Sequence, residues 1–116
     1  MHVRGLVWLG TRTEHYEATV AFAADVLGLS LTEREPGMAI FTLPDGGTFE
    51  VFAPEHEGGG YPPRGVVAGF LVDDPAAARQ ELAAAGCEVS ELHVGQTMRW
   101  AYFRAPDGNL YEVLGA

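Results

Sequence analysis

Two glutamates, Glu50 and Glu112, sit in the middle of one short phrase that the chain repeats. Residues 44–52 read P-D-G-G-T-F-E-V-F and residues 106–114 read P-D-G-N-L-Y-E-V-L, 62 residues apart. On the strand that follows each Pro-Asp-Gly turn, side chains alternate between faces. Thr48, Glu50 and Phe52 therefore share a face opposite Phe49 and Val51, and Leu110, Glu112 and Leu114 share one opposite Tyr111 and Val113. Each copy plants one carboxylate in an otherwise apolar strand face, which is costly unless the carboxylate has a partner or lines a wet pocket. Such residues could ligate a divalent ion, serve as general base and acid, or hold a cation. The plain alternative is a carboxylate satisfied by a neighbouring Arg or Tyr. If both face one pocket without metal, repulsion and desolvation raise at least one pKa, which suits proton transfer near neutrality.

Aromatic groups surround these phrases. Trp8, Phe41, Trp100, Tyr102 and Phe103 mostly serve as core in so small a chain, and Trp100 with Tyr102 is the choice for stacking on a planar ligand. Arg99 and Arg104 alternate with aromatics on one expected strand, where Arg99 could meet an anionic group or a glutamate. His93 falls in an expected turn and reads as an exposed turn residue ahead of a base. Cys87 has no neighbouring His or Lys and reads as an inert thiol. There is no Gly-x-Ser-x-Gly elbow, and Gly58-Gly59-Gly60 precedes no helix and has no lysine partner, so nucleophilic and phosphate-cradling chemistry find no support.

These residues need elements to position them. Gly5–Arg12 reads as a first strand. Thr13 offers an N-cap, with Glu14 and Glu17 in the first turn, and Tyr16, Val20, Ala23 and Leu27 form a helical stripe closed by Gly28. Strands follow at Leu29–Arg34, Met38–Leu43 and Thr48–Phe52. Residues 54–64 carry three glycines and three prolines and make a connection without a core, most mobile at Gly58–Gly60. The order then replays. Gly65–Asp73 is a strand, aligned with Gly5 onward at a shift of 60; Asp74 caps a helix with Pro75 first, over Ala76–Ala85, ended by Gly86. Cys87–Leu92 is a strand, His93–Gln96 a turn, and Thr97–Arg104 a strand before the second phrase. The expectation is a single α+β domain over residues 1–116, two tandem βαβββ modules (about 1–54 and 65–116, connection 55–64).

Composition narrows the partners. Formal net charge is −9, with 7 Lys and Arg against 16 Asp and Glu, which repels phosphate backbones and argues against nucleic acid. No apolar run reaches about 20 residues, and Met1-His2-Val3-Arg4 begins no signal peptide, so neither a membrane nor secretion is expected. A single cysteine fits a reducing cytoplasm.

The Val26-Leu27-Gly28-Leu29 step, the F-L-V-D-D-P-A-A-A run at 70–78, the Ala85-Gly86-Cys87-Glu88-Val89 step and the closing stretch from Tyr102 through Pro106-Asp107-Gly108 to Glu112 resemble the vicinal oxygen chelate superfamily. That superfamily takes in glyoxalase I, bleomycin-resistance proteins and extradiol dioxygenases. The resemblance implies paired βαβββ modules whose curved sheets enclose a cleft, a homodimer, and in metal-dependent members one divalent ion held by the first and last strand of each module. Carried over residue by residue, the last-strand ligands are Glu50 and Glu112, and the first-strand positions are Val7 (Trp8 if the register slips by one) and Val67. Neither valine can coordinate. Two carboxylates alone suit Mg²⁺ or Ca²⁺ with water, whereas Zn²⁺, Ni²⁺ and Fe²⁺ prefer imidazole, and none of His2, His15, His56 or His93 falls at a ligand position. A further departure is Ala105, where the family usually has Asp before Pro-Asp-Gly. Two readings stand. One is a bleomycin-resistance-type binder of a cationic or aromatic small molecule, without a transition metal and with Val7, Val67, His93, Arg99, Trp100 and Tyr102 around the ligand. The other is a metal-dependent glyoxalase-like lyase, isomerase or dioxygenase using Glu50 and Glu112.

Overall fold

The computed structural model describes residues 1–57, 63 and 65–116, so the stretch Gly58–Gly60, expected to be the most mobile, lies outside the described residues. The elements run β1 (Val3–Arg12), α1 (Tyr16–Asp25), β2 (Ser30–Glu35), β3 (Met38–Thr42), β4 (Thr48–Phe52), β5 (Gly65–Val72), α2 (Pro75–Ala84), β6 (His93–Val94), β7 (Arg99–Arg104) and β8 (Leu110–Gly115). The order βαβββ thus occurs twice, and the fold is α+β. The chain divides into two compact units, Trp8–Val67 and Met1–Val7 with Ala68–Ala116. No helix among the described residues is long and apolar enough to cross a membrane.

In the unit Trp8–Val67 the strands lie in the order β2-β3-β4-β1. β2 and β4 flank β3 antiparallel, and β4 runs parallel to β1. Tyr16, Val20 and Ala23, the buried stripe of α1, pack with Ala39, Phe41, Val51 and Ala53. Residues at this spacing lie on one side of a helix, so the sequence pattern alone dictates this contact. Two details differ from expectation. The Thr13 hydroxyl accepts the His15 N–H in a turn before the helix, and α1 starts at Tyr16 without a side-chain cap. Leu27 lies past the helix end and is exposed, because the Leu29 N–H reaches back to the Ala23 carbonyl around Gly28, whose φ is +68°. The β2–β3 ladder shifts register between Leu31 and Glu33, which sets Glu33 opposite Ile40 and Glu35 opposite Met38.

In the other unit the order is β5-β8-β7-β6, with β5 parallel to β8 and the remaining pairs antiparallel. Val72, Ala78, Ala101 and Val113 form its core, with Leu82, Leu92 and Phe103 packed against them. The Asp74 carboxylate accepts the Ala77 N–H, and Pro75 follows as the first helical residue. The Arg4–Asp73 and Met1–Glu81 ion pairs fasten the start of the chain to this unit, at exposed positions where such pairs contribute little. The strand expected over Cys87–Leu92 is absent; Val89 makes only an isolated bridge to Phe103. The reason is Ser90. Its hydroxyl, rather than a backbone carbonyl, takes the Tyr102 N–H, so a side chain interrupts the ladder. The module's second strand is instead the two-residue β6, at His93–Val94, where a turn was expected.

The two Pro-Asp-Gly turns close identically. Leu43 and Ala105 accept the N–H of Gly46 and Gly108, whose φ values are +88° and +84°, and Asp45 and Asp107 accept the N–H two residues on. The turn chemistry sets β4 and β8 going in the same register within each module. Replacing Asp74 by Ala removes the cap of α2, and urea unfolding should show a loss of about 1 kcal/mol. An unchanged midpoint would contradict the role assigned to that carboxylate.

Candidate functional site

Glu50 sits at the centre of β4, opposite Gly10 on β1 and Ile40 on β3. This register puts Trp8, Gly10 and Arg12 on the Glu50 side of the sheet, and by alternation Val7 points to the other side. The first-strand neighbour of Glu50 is thus Trp8, not Val7. Alignment from Gly5 to Gly65 misleads by one residue, because the equivalent glycines are Gly10, opposite Glu50, and Gly69, opposite Glu112. Two residues before them stand Trp8 and Val67.

Trp8 is buried and its indole lies across Gly10. A Cβ placed on Gly10 would come within 2.2 Å of the indole ring, so only glycine lets the ring lie there. From this position the indole N–H donates to the Glu50 carboxylate. Burial raises the pKa of Glu50; the Trp8 hydrogen bond opposes that rise, Glu33 adds repulsion and His56 a smaller attraction. The repulsion that sequence reasoning assigned to a second phrase glutamate comes, in this unit, from Glu33.

Arg12 closes the far end of this face. Its guanidinium donates to the carbonyls of Ala53 and His56 at 2.8 and 2.9 Å and lies 5.4 Å from the Phe52 ring centre. That clamp draws the start of the connection back onto the sheet and seats His56 beside Phe52, with ring centres 5.5 Å apart. His56 Nε2 is 2.8 Å from a Glu35 carboxylate oxygen, which can only accept, so Nε2 carries the proton. Its Nδ1 is buried with no hydrogen-bond partner among the described residues. Sequence reading gave His56, Glu33 and Glu35 no role. The clue available was Arg12, a charged residue ending an apolar strand.

Glu112 is 3% exposed and stands opposite Gly69 on β5 and Tyr102 on β7. Trp100 and Tyr102 alternate onto its side of the sheet, as does His93, opposite Trp100. The His93 ring stacks on Trp100 at 5.6 Å with planes 11° apart and meets Tyr102 edge-on at 5.7 Å. His93 is therefore part of an aromatic cluster and not a turn residue. Val67 is buried and alternates onto Gly69's side of β5. Arg99 pairs with Gly115 and falls on the Ala101 side, where its guanidinium donates to the Ala116 carbonyl and lies 3.9 Å from Asp74. It does not join the cluster. Of the residues singled out in sequence, His93, Trp100, Tyr102 and Glu112 come together in this unit, and Glu50 belongs to the other.

The first-strand positions beside the two glutamates supply no ligand for a transition ion. Beside Glu50 on β1 are an indole, which has no lone pair to give, and a glycine; beside Glu112 on β5 are Gly69 and Val67. Among the described residues no group of three or more His, Cys, Asp or Glu is arranged to hold a metal ion.

The raised pKa of Glu50 fixes the sign of a pH effect. A carboxyl that holds its proton more tightly folded than unfolded contributes stability at acid pH, and that contribution is lost as pH rises through its folded pKa. Glu50→Gln, which keeps an acceptor for the indole, should therefore be more stable than the parent at pH 8 and lose that advantage at pH 4. Thermal unfolding across this range checks it, and a parent that is the more stable at pH 8 would contradict it.

The model for the Glyoxalase/Bleomycin resistance protein/Dioxygenase superfamily matches residues 5–113. Comparison with curated protein sequences gives no match. Among solved structures, a glyoxalase/bleomycin resistance protein/dioxygenase superfamily member from Vibrio splendidus 12B01 is 21% identical with a TM-score of 0.71, covering 99% of this chain and 100% of that one. Methylmalonyl-CoA epimerase from Mycobacterium tuberculosis is 21% identical with a TM-score of 0.74, over 97% of this chain and 88% of that one. The Mn(II)-bound glyoxalase from Novosphingobium aromaticivorans is 25% identical with a TM-score of 0.75, over 97% of this chain but 39% of that one. With the βαβββ order found twice and the family pattern spanning nearly all of it, this chain belongs to the glyoxalase/bleomycin resistance protein/dioxygenase superfamily.

Proposed function

We propose that this protein binds a small organic ligand, cationic and aromatic, in the manner of a bleomycin-resistance-type binder and without a transition metal. The observation that carries the reading is the donor set beside each glutamate: Trp8 and Gly10 at Glu50, Val67 and Gly69 at Glu112. What these residues offer instead is carboxylate set among apolar and aromatic surface. Phe52 and Trp8 share the face of Glu50, and Trp100, Tyr102 and His93 share that of Glu112. An organic cation is held by such surroundings through charge, N–H donation and stacking. A net charge of −9 favours its approach. The reading takes the protein to be a cytoplasmic homodimer, in keeping with its one free cysteine, Cys87.

A second reading keeps Glu50 and Glu112 as ligands of a divalent ion in a lyase, isomerase or dioxygenase. It is favoured by the likeness to the Mn(II)-bound glyoxalase and by the presence of both glutamates. One titration separates the two. Proflavine, a planar cation with N–H donors, should quench the tryptophan fluorescence of tag-free protein in the presence of EDTA. Glu50→Gln should weaken it roughly tenfold or more, from loss of a charge-assisted hydrogen bond. Light scattering on the same sample should give twice the chain mass of 12.4 kDa. Stoichiometric manganese, nickel or zinc in the purified protein, with no proflavine binding once it is stripped, would favour the enzyme.

A further inference from the structure

Glu50 has two neighbours whose arrangement goes beyond a generic acidic face. Trp8 donates its indole N–H to the carboxylate, Gly10 leaves room for the ring, and the β1–β4 register puts all three side by side. An ionised carboxylate has about four lone-pair positions, and one indole N–H takes one of them. The indole carries no lone pair of its own, so it can stand next to the carboxylate but cannot share a metal with it. Moreover, the ring lies over the Gly10 backbone, so the β1 side of the carboxylate is filled by carbon.

We infer that Trp8, lying over Gly10, is the specificity-determining residue of the Glu50 site: it fills the β1 side of the carboxylate and commits Glu50 to an organic cation bearing N–H donors instead of a metal ion. The inference rests on the ligand reading for the identity of that cation but not for the exclusion of metal. Two features of the same face agree with it. Glu33, opposite Ile40 across β3, adds a second negative charge that a cation would offset. Met38 and Phe52, paired on adjacent strands, give the face an apolar wall at the His56 end. The orientation of Glu50 is then set by an N–H bond that needs no ion, and what remains of its acceptor capacity is directed at a donor on the ligand. The glycine is as much part of the device as the tryptophan, since any Cβ at position 10 would push the ring away from the carboxylate.

The test uses the full chain, free of tags, with two probes, Mn²⁺ followed by calorimetry and proflavine followed by fluorescence. The parent should show no saturable Mn²⁺ binding. Trp8→His, which puts an imidazole where the indole stood, should bind Mn²⁺ at least tenfold more tightly than the parent, and the gain should vanish on adding Glu50→Gln. Gly10→Ala leaves Trp8 in place but displaces its ring, and should weaken proflavine at least tenfold; it decides the matter if Trp8→His fails to fold. Gain of metal by Trp8→His with no proflavine binding to any form would uphold the exclusion of metal by the indole and overturn the ligand reading alone. Stoichiometric Mn²⁺ on the parent that is lost in Glu50→Gln, or a Gly10→Ala protein with parental proflavine affinity, would overturn the inference.

Discussion

A carboxylate in the middle of an apolar strand must be hydrated, neutralised or held, and Glu50 is held. The indole N–H of Trp8 reaches it because β1 and β4 run parallel in a register that sets Gly10 beside Glu50. Burial pushes the acid toward its neutral form while the hydrogen bond favours the charged one, so the site balances two opposed effects on one group. The rest of the face answers to that balance. Glu33 adds repulsion through a register shift in β2, and Arg12 ties down the backbone on which His56 is carried.

The second module uses the same geometry with different partners. Glu112 also has a glycine opposite it on the parallel strand, and an identical Pro-Asp-Gly turn launches its strand. Where Ile40 faces Glu50 across the antiparallel ladder, Tyr102 faces Glu112, with His93 and Trp100 stacked alongside. Duplication of the backbone has thus kept the carboxylates and varied what surrounds them. A family that includes metal-bound members accommodates this, because the fold supplies positions and the side chains at those positions decide the chemistry.

Much of this was legible in the sequence, and the misses have local causes. The repeated phrase gave the strands β4 and β8, their turns and the two glutamates, since turn residues and strand alternation are set by neighbours in the chain. The helices were legible from Tyr16, Val20 and Ala23 and from Asp74-Pro75. The face of β1 was not. A strand of ten residues rich in Val, Leu and Trp shows no alternation of polarity, so a register taken from Gly5 put Val7 first and left Trp8 as the alternative one residue on. The strand expected at Cys87–Leu92 failed because Ser90 offers its hydroxyl to the ladder, a competition that composition does not reveal. His56 went unassigned because what fixes it, Arg12, lies 44 residues earlier. Arg99 was read as a site residue from its strand, but the pairing with Gly115 turns it to the other face.

The bond between Trp8 and Glu50 can be observed directly by proton–nitrogen correlation spectra recorded across a pH titration. The Trp8 indole N–H resonance should shift with pH as Glu50 ionises and should stop doing so in Glu50→Gln, while the Trp100 indole stays insensitive to that substitution. A Trp8 resonance that ignores both pH and the loss of the carboxylate would contradict the account.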